Sequence, residues 1–522
     1  MADVGPQIEG HSGGDKDQTR RPAHPSEQVL ITRSGAETRV AVVAGTELQE
    51  LHLTRSERPT RVGDIVIGRV VKILPGMQAA FVEVGFERPG FLHANDIEPR
   101  RFEADGAAAT PQDIRKLVHE GQTLLVQINK DPISSKGARL TTNLTLPARW
   151  LVLTPFAGHV GISQRITDET ERERLRALVA QAREQQGAGE HGFIVRTAAE
   201  GASAAALVAD MQQLLAAWND IRARPHDTGA APDPGTVVWE ELPVHVRVLR
   251  DLLLPEQARV VIDDAETHAA VRRFAADVVP ALAPRIELHT DRRPLFDAYD
   301  IEAQIEAALK PTVSLPSGGY LVIEQTEAMI TVDVNTGGFV GVDNLEDTVF
   351  RTNLEAARAL PRQLRLRNLG GLIVVDFIDM LVDEHRQQLV AALNEALRGD
   401  TVKVRASDLS QFGLVELSRK RTRESLNQQL CEPCDRCGGT GLVKRPEIVA
   451  FEALRGLARE VRTLPAGGRV RLSAGPAVLD YLAGAGADHL RAAAERAGCS
   501  VELTARADAR PDFYELAGRP DG

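Results

Sequence analysis

The sequence predicts a multidomain chain that mixes α/β and α+β architecture. Three observations lead there. At 522 residues the chain is too long for one hydrophobic core. One stretch, RVGDIVIGRVVKILPGMQAAFVEVGFERPGFLHANDI, is dense in β-branched residues, with Gly and Pro at short intervals. That spacing marks the short strands of a small barrel. From Val237 onward, strand-like and helix-like runs alternate, the pattern of an α/β layer.

Taken in order, residues 1–26 are polar and lack the apolar core of a signal peptide. They read as a disordered tail, which points to a cytoplasmic protein. VLITRSGAETRVAVVAGTELQELHL gives two or three strands, then come the barrel and further strands in GQTLLVQINKDPISSKGARLTT. Residues 167–186 form a helix with Thr167 as a plausible cap. GFIVRTAAEGAS is a short strand running into a turn, and a second helix follows to about Arg222. RPHDTGAAPDPG is a loop and a candidate boundary. MITVDVN and GLIVVDFIDM are apolar enough to read as buried strands of a covered sheet. Residues 446–522 alternate helix and strand as a small closing domain. No stretch is long and apolar enough for a bilayer span.

The net charge of −11 argues against indiscriminate nucleic-acid binding. Binding a polyanion needs only a local basic surface. Two clusters offer one: Arg358, Arg362, Arg365 and Arg367, then Arg419, Lys420, Arg421 and Arg423. Pro361 interrupts the helical run NLEAARALPRQLRLR, so a kink is expected there.

Four groups of residues carry candidate chemistry. Asp333 and Asp376 each close an apolar strand. If the strands are neighbours, the two carboxylates suit one Mg²⁺. Asn335, Glu327 and Asp379 lie near in sequence as outer ligands or orienters. The competing reading is that the acids cap turns. Cys434 and Cys437 form a CxxC beside Cys431, which reads as a zinc knuckle or a redox pair. The thiol count falls short of four in one chain, which a symmetric dimer solves if each chain gives Cys434 and Cys437. Phe81 and Phe91 fall in the predicted barrel, with Lys136 in a loop. They suit base stacking and phosphate contact, or the two rings are core. Arg196 and Thr197 end a strand. A guanidinium fork with a hydroxyl suits a terminal phosphate, though such pairs also decorate surfaces.

Long motifs resemble the ribonuclease E/G family over roughly residues 27–515. They include ETRVAVV, LPGMQAAFVEVG, GFLHANDI, GISQRI, GFIVRTAAEGAS, SGGYLVIEQTEAMITVDVNTGGFVG, RQLRLRNLGGLIVVDFIDM and SRKRTRESL before CEPCDRC. The HVGISQRI and VNTGGFVG spellings look more like its G branch than its E branch. The resemblance implies an RNase H-like domain (27–59 and 238–308) with an inserted S1 barrel of the OB-fold type (60–142). A 5′-sensor domain (143–237), a DNase I-like catalytic domain (309–430), a zinc link (431–444) and a small α/β domain (445–522) complete it. It implies an endoribonuclease for single-stranded, AU-rich RNA, including ribosomal precursors and messenger RNA, leaving 5′-phosphate and 3′-hydroxyl ends. Asp333 and Asp376 match the carboxylates for catalytic Mg²⁺, with Asn335 and Glu327 beside them. Phe81, Phe91 and Lys136 match RNA contacts of the S1 domain. Arg196 and Thr197 match the sensor of a 5′-monophosphate. Cys434 and Cys437 match the Zn²⁺ link of a homodimer. The alternative is an RNA-binding or assembly protein without activity.

Overall fold

The computed structural model describes residues 27–57, 59–97, 113–132, 137–224, 233–252, 258–338, 345–460 and 468–519. The expected tail (1–26), Lys136 and most of the predicted loop at 224–235 lie outside them. The chain divides into two compact units, Met1–Leu426 and Asn427–Gly522.

The first unit carries four sheets. Glu27–Ser34, Glu37–Ala44 and Glu47–Arg55 form an antiparallel meander, which Arg259–Ile262 and Ile286–Leu288 extend in parallel. Two distant parts of the chain therefore build one sheet. Its core gathers Val29, Ile31, Val40, Val260 and Ile262.

Between those parts, five strands close on themselves: Ile65–Leu74, Ala79–Glu83, Gly90–His93, Arg139–Thr141 and Thr123–Lys130. Closure comes from the pairing of Ile65–Leu74 with Thr123–Lys130. Closing removes sheet edges, and Val66, Val70, Val82, Leu92 and Val126 fill the interior. Val237–Trp239 adds a strand beside Ile65 and Val66, so the barrel recruits residues just beyond the expected boundary at 237.

Four short strands, Leu146–Pro147, Leu151–Thr154, Val160–Ile162 and Gly192–Val195, make the next sheet. Helices Glu169–Gln185 and Ala204–Ala223 pack on it. The cap of the first helix is Asp168, whose carboxylate accepts from Thr170 N at 2.9 Å, not Thr167.

The fourth sheet has the order Thr312–Ser314, Tyr320–Gln325, Met329–Asn335, Gly371–Asp376, Leu414–Arg419, Val404–Ala406. Its residues alternate. Ile330, Val332, Val334, Ile373, Val375, Val415 and Leu417 are buried in one core with residues of helices Leu345–Leu366 and Asp383–Leu397. Each such side chain is worth about 1.5–3 kcal/mol of burial. The opposite face carries Thr331, Asp333, Leu372, Val374, Asp376, Glu416 and Ser418, all exposed or half-exposed. The expectation of a sheet covered on both sides is therefore corrected. An apolar run does not say how many faces are buried, and here small and β-branched residues occupy the open face.

Helix Leu345–Leu366 runs unbroken through buried Pro361. Two of its arginines, Arg362 and Arg365, are committed inward. Arg362 donates to Leu48 O (3.0 Å) and Gln304 Oε1 (3.1 Å), and Arg365 to Gln49 Oε1 (2.8 Å). Just past the helix end, Arg367 donates to Lys310 O (2.7 Å). The second basic run is also partly internal, because Arg419 is buried against Asp400. Of these two expected RNA-binding clusters, Arg358, Lys420 and Arg421 are exposed. The helical period marks a basic face but not what that face packs on.

In the second unit, Arg469–Ala474 lies between Ser500–Ala505 (parallel) and Tyr514–Arg519 (antiparallel). Helices Pro446–Glu460, Pro476–Ala483 and Ala487–Ala497 surround this sheet. Among the described residues no helix is long and apolar enough to cross a membrane.

Candidate active site and RNA-contact surfaces

Met329–Asn335 and Gly371–Asp376 are adjacent and parallel, with Asp333 and Asp376 as register partners. Partners in parallel strands project to the same face. The two carboxylates therefore share the open face, at the C-terminal ends of both strands. Asn335 Nδ2 donates to Asp333 Oδ2 at 2.8 Å. The Asp376 carboxyl is pushed above its ordinary value, first by partial burial, then by the charges of Asp333 and Asp379. Like charges held together favour either a proton or a cation.

The loop after Asp376 is fixed by the long helix. Buried Asn353 donates to Ile378 O (2.8 Å) and accepts from Ile378 N (3.1 Å). The Glu346 carboxylate accepts from Leu381 N and Val382 N and pairs with His385 at 3.2 Å. His385 stacks on Phe350 with ring centroids 4.0 Å apart. Gly413 closes the other side. Its φ of +76° suits glycine, and a Cβ there would lie 3.2 Å from Asp379 Oδ1.

Glu327 is not brought to this end. It lies in the turn between Tyr320–Gln325 and Met329–Asn335, beyond the Gln325–Ile330 rung. Asp333 is three rungs further along, roughly 10 Å away or more. Six residues of separation across a hairpin is length, not proximity. Two acids on the open face had escaped notice: Glu324, opposite Thr331, and Glu416, opposite Val374. Their alternation with Ile323, Val415 and Leu417 is the signal that could have found them.

On the barrel, Phe81 and Phe91 are register partners, half-exposed, with ring centroids 6.3 Å apart in an edge-on arrangement. Their neighbours Ala80, Val82 and Leu92 point into the core. Lys72 stands opposite Phe81, and Arg139 beside Phe91 and Lys130. Lys130 is held below its ordinary value by burial, then by Arg139, Lys420 and Arg421. The barrel's basic edge thus lies near Lys420 and Arg421, just after strand Leu414–Arg419 of the aspartate sheet. The expected Lys136 contact lies outside the described residues.

Arg196 and Thr197 sit where strand Gly192–Val195 turns. The Arg196 guanidinium donates to Ala148 O (2.6 Å) and Asp251 Oδ1 (2.9 Å). Thr197 Oγ1 is 2.9 Å from Ser163 Oγ. Asp251, which the sequence reading had missed, also binds Arg250, and Arg250 pairs with Glu241. Ser163 lines a cavity of about 510 Å³ together with Arg165, Arg398 and Lys403. The lining also holds Asp400, whose backbone carbonyl accepts from Arg165; three basic groups against one acid suit an anion.

Cys434 and Cys437 lie in a turn-rich loop ahead of helix Pro446–Glu460. No strand leads into them there, unlike a redox CxxC. Gly438 and Gly439 have φ of +61° and +86°, which lets backbone amides turn toward sulfur. Gly441 N donates to Cys437 Sγ at 3.3 Å. The amides of Gly441 and Gly439 hold the Cys437 thiol below its ordinary value. Cys431 is exposed.

Two family models match the chain: "Ribonuclease E/G family" at residues 145–422 and "RNase E/G, Thioredoxin-like domain" at residues 433–518. Ribonuclease G of Escherichia coli (strain K12) is 46% identical over 460 residues, covering 88% of this chain and 92% of that protein. Ribonuclease G of Haemophilus influenzae is 42% identical over 465 residues, covering 87% and 91%. Ribonuclease E of Escherichia coli (strain K12) is 38% identical over 421 residues, covering 80% of this chain and 39% of that longer protein. The chain belongs to the ribonuclease E/G family. It is an endoribonuclease, a hydrolase of RNA phosphodiester bonds.

Proposed function

We propose that this chain is a single-strand-specific endoribonuclease that works with Mg²⁺ and leaves 5′-phosphate and 3′-hydroxyl ends. The observation that carries the reading is the register pairing of Asp333 with Asp376 on an open sheet face. The donor set fits a hard divalent ion, because two carboxylates share one rung and Asp376 is raised first by partial burial and then by its acidic neighbours Asp333 and Asp379. Asp333 and Asp376 would hold the ion. When bound, it supplies Lewis-acid stabilisation of phosphoryl charge and a nucleophile at neutral pH. Asn335 orients Asp333 through its amide, and Asn353 and Glu346 hold the loop that carries Asp379. An exposed face lets a single strand lie across the carboxylates.

The other surfaces serve delivery of RNA. The barrel acts as an S1-type module, with Phe81 and Phe91 stacking bases and Lys72, Lys130, Arg139 and Lys136 meeting phosphates. The Arg196–Thr197 turn, beside the cationic cavity at Ser163, senses a 5′-monophosphate and so stimulates cleavage. Asp251 holds the guanidinium in place for it. The split sheet is the RNase H-like domain, and the aspartate sheet is the DNase I-like domain. Cys434 and Cys437 join two chains through one Zn²⁺, a reading supported by the amide-stabilised thiol. The resulting homodimer processes ribosomal precursors and degrades messenger RNA in the cytoplasm.

The test is cleavage of a 5′-monophosphorylated, fluorescent single-stranded RNA with Mg²⁺. Asp333→Asn and Asp376→Asn should each lose at least roughly 100-fold in rate while still binding the RNA. Wild-type cleavage by either variant would overturn the assignment. Binding with no cleavage by the wild-type chain at any Mg²⁺ concentration would favour a purely RNA-binding role.

A further inference from the structure

We propose that Phe412 is a stacking platform for a nucleobase flanking the scissile phosphate. The inference rests on the nuclease reading of Asp333 and Asp376. Among the described residues Phe412 is the only Phe, Tyr or Trp that is exposed rather than buried or half-buried, at 72%. It sits two residues before Leu414, whose register partner is Asp376. Two residues of chain span at most about 7 Å, so Phe412 lies in the turn at the same end of the sheet as the carboxylate pair.

The loop that presents the ring is internally bonded. Ser410 N donates to Leu414 O (2.8 Å), and Gly413 N to Ser410 O (3.1 Å). Ser410 Oγ accepts from Phe412 N (3.3 Å) and Leu414 N (3.1 Å). Phe377 N, next to Asp376, donates to Gly413 O at 3.2 Å. The ring is therefore held ready on the same backbone that positions Asp376, and little order has to be imposed when a partner arrives. Its chain neighbours are polar or lack a side chain: Ser410, Gln411 and Gly413. A lone aromatic in a polar loop offers one flat π-face, which matches a nucleobase. A strand crossing the open face to the two carboxylates passes within its reach. Every base has a π-face, so such stacking orients the strand without demanding a sequence.

The experiment uses the full-length chain and a single-stranded RNA with one dominant cut site, in which one abasic nucleotide is walked through the flanking positions. Phe412→Ala should slow cleavage of intact RNA on the order of 10-fold, and Phe412→Trp should keep most of the rate. At one position the abasic RNA should be slow with wild type and no slower with Phe412→Ala. Independent, multiplying effects at every position would overturn the proposal. So would an unchanged rate for Phe412→Ala, or a changed assembly mass by light scattering, which would mark an interface between copies. Should wild type fail to cut at all, the nuclease reading falls separately. Stacking is then decided by 2-aminopurine RNA in Mg²⁺-free buffer. Fluorescence quenched by wild type but not by Phe412→Ala supports it, and equal quenching overturns it.

Discussion

Asp333 and Asp376 are partners on one rung of a parallel strand pair, and both face the uncovered side of the sheet. Their charges oppose each other, and the core beneath them does not depend on their ionisation. Activity and stability therefore separate at this site. Replacing either acid by its amide should leave the denaturation midpoint nearly unchanged, within about 0.5 kcal/mol, or raise stability slightly by removing repulsion.

The 5′-end reading gives a substrate-specific outcome. Arg196→Ala should slow cleavage of 5′-monophosphorylated RNA and spare the 5′-hydroxyl form. Asp251→Asn removes the charge that holds the Arg196 guanidinium, so it should blunt the same discrimination to a lesser degree. Paired rate measurements on the two RNAs check both variants. Equal loss on both substrates would reject a sensor.

For the cysteine loop, metal analysis of the purified protein should give one Zn²⁺ per two chains. Serine at Cys434 and Cys437 should yield monomers by light scattering. A dimer that persists without zinc would remove the link. Cys431 is expected to be replaceable by serine without loss of metal.

Buried charge gives the largest single-site stability effect. Arg419 Nε and Nη2 reach the Asp400 carboxylate at 2.8 and 3.1 Å, and Nη1 donates to Leu369 O at 2.7 Å. Both side chains are almost wholly buried. Arg419→Ala strands the carboxylate and should cost about 3–5 kcal/mol, read by urea denaturation. The double variant Arg419→Met/Asp400→Leu should recover much of that loss.

Acid sensitivity has a defined local source. The Glu171 carboxyl is lowered from 4.5 to about 2, chiefly by Arg174 and further by the amide of Gly201. A folded-state value below the unfolded one means stability that is full above pH 4.5. It is lost as pH falls from 4.5 toward about 2. Glu171→Gln should therefore be less stable than wild type at pH 6, with the gap closing toward pH 2 in denaturation series.

Local patterns made much of this legible. The short Gly- and Pro-punctuated strands marked a barrel, and the two apolar runs marked the strands that end in Asp333 and Asp376. What needed coordinates was non-local. Periodicity showed that Arg362, Arg365 and Arg367 share a basic region, but not that Leu48, Gln304, Gln49 and Lys310 receive their hydrogen bonds. Glu327 is near Asp333 in sequence and far along a hairpin. Asp251 meets Arg196 across 55 positions, a contact that no spacing rule encodes. Nothing in the spacing around Phe412 marks its ring as exposed; only the fold does.

The central claim is that Asp333 and Asp376 together hold one divalent ion. Mn²⁺ titration followed by electron paramagnetic resonance, in RNA-free protein, tests it without relying on turnover. The account predicts one Mn²⁺ site per chain that Mg²⁺ displaces and that both Asp333→Asn and Asp376→Asn abolish. Unchanged Mn²⁺ binding in both folded variants would contradict it.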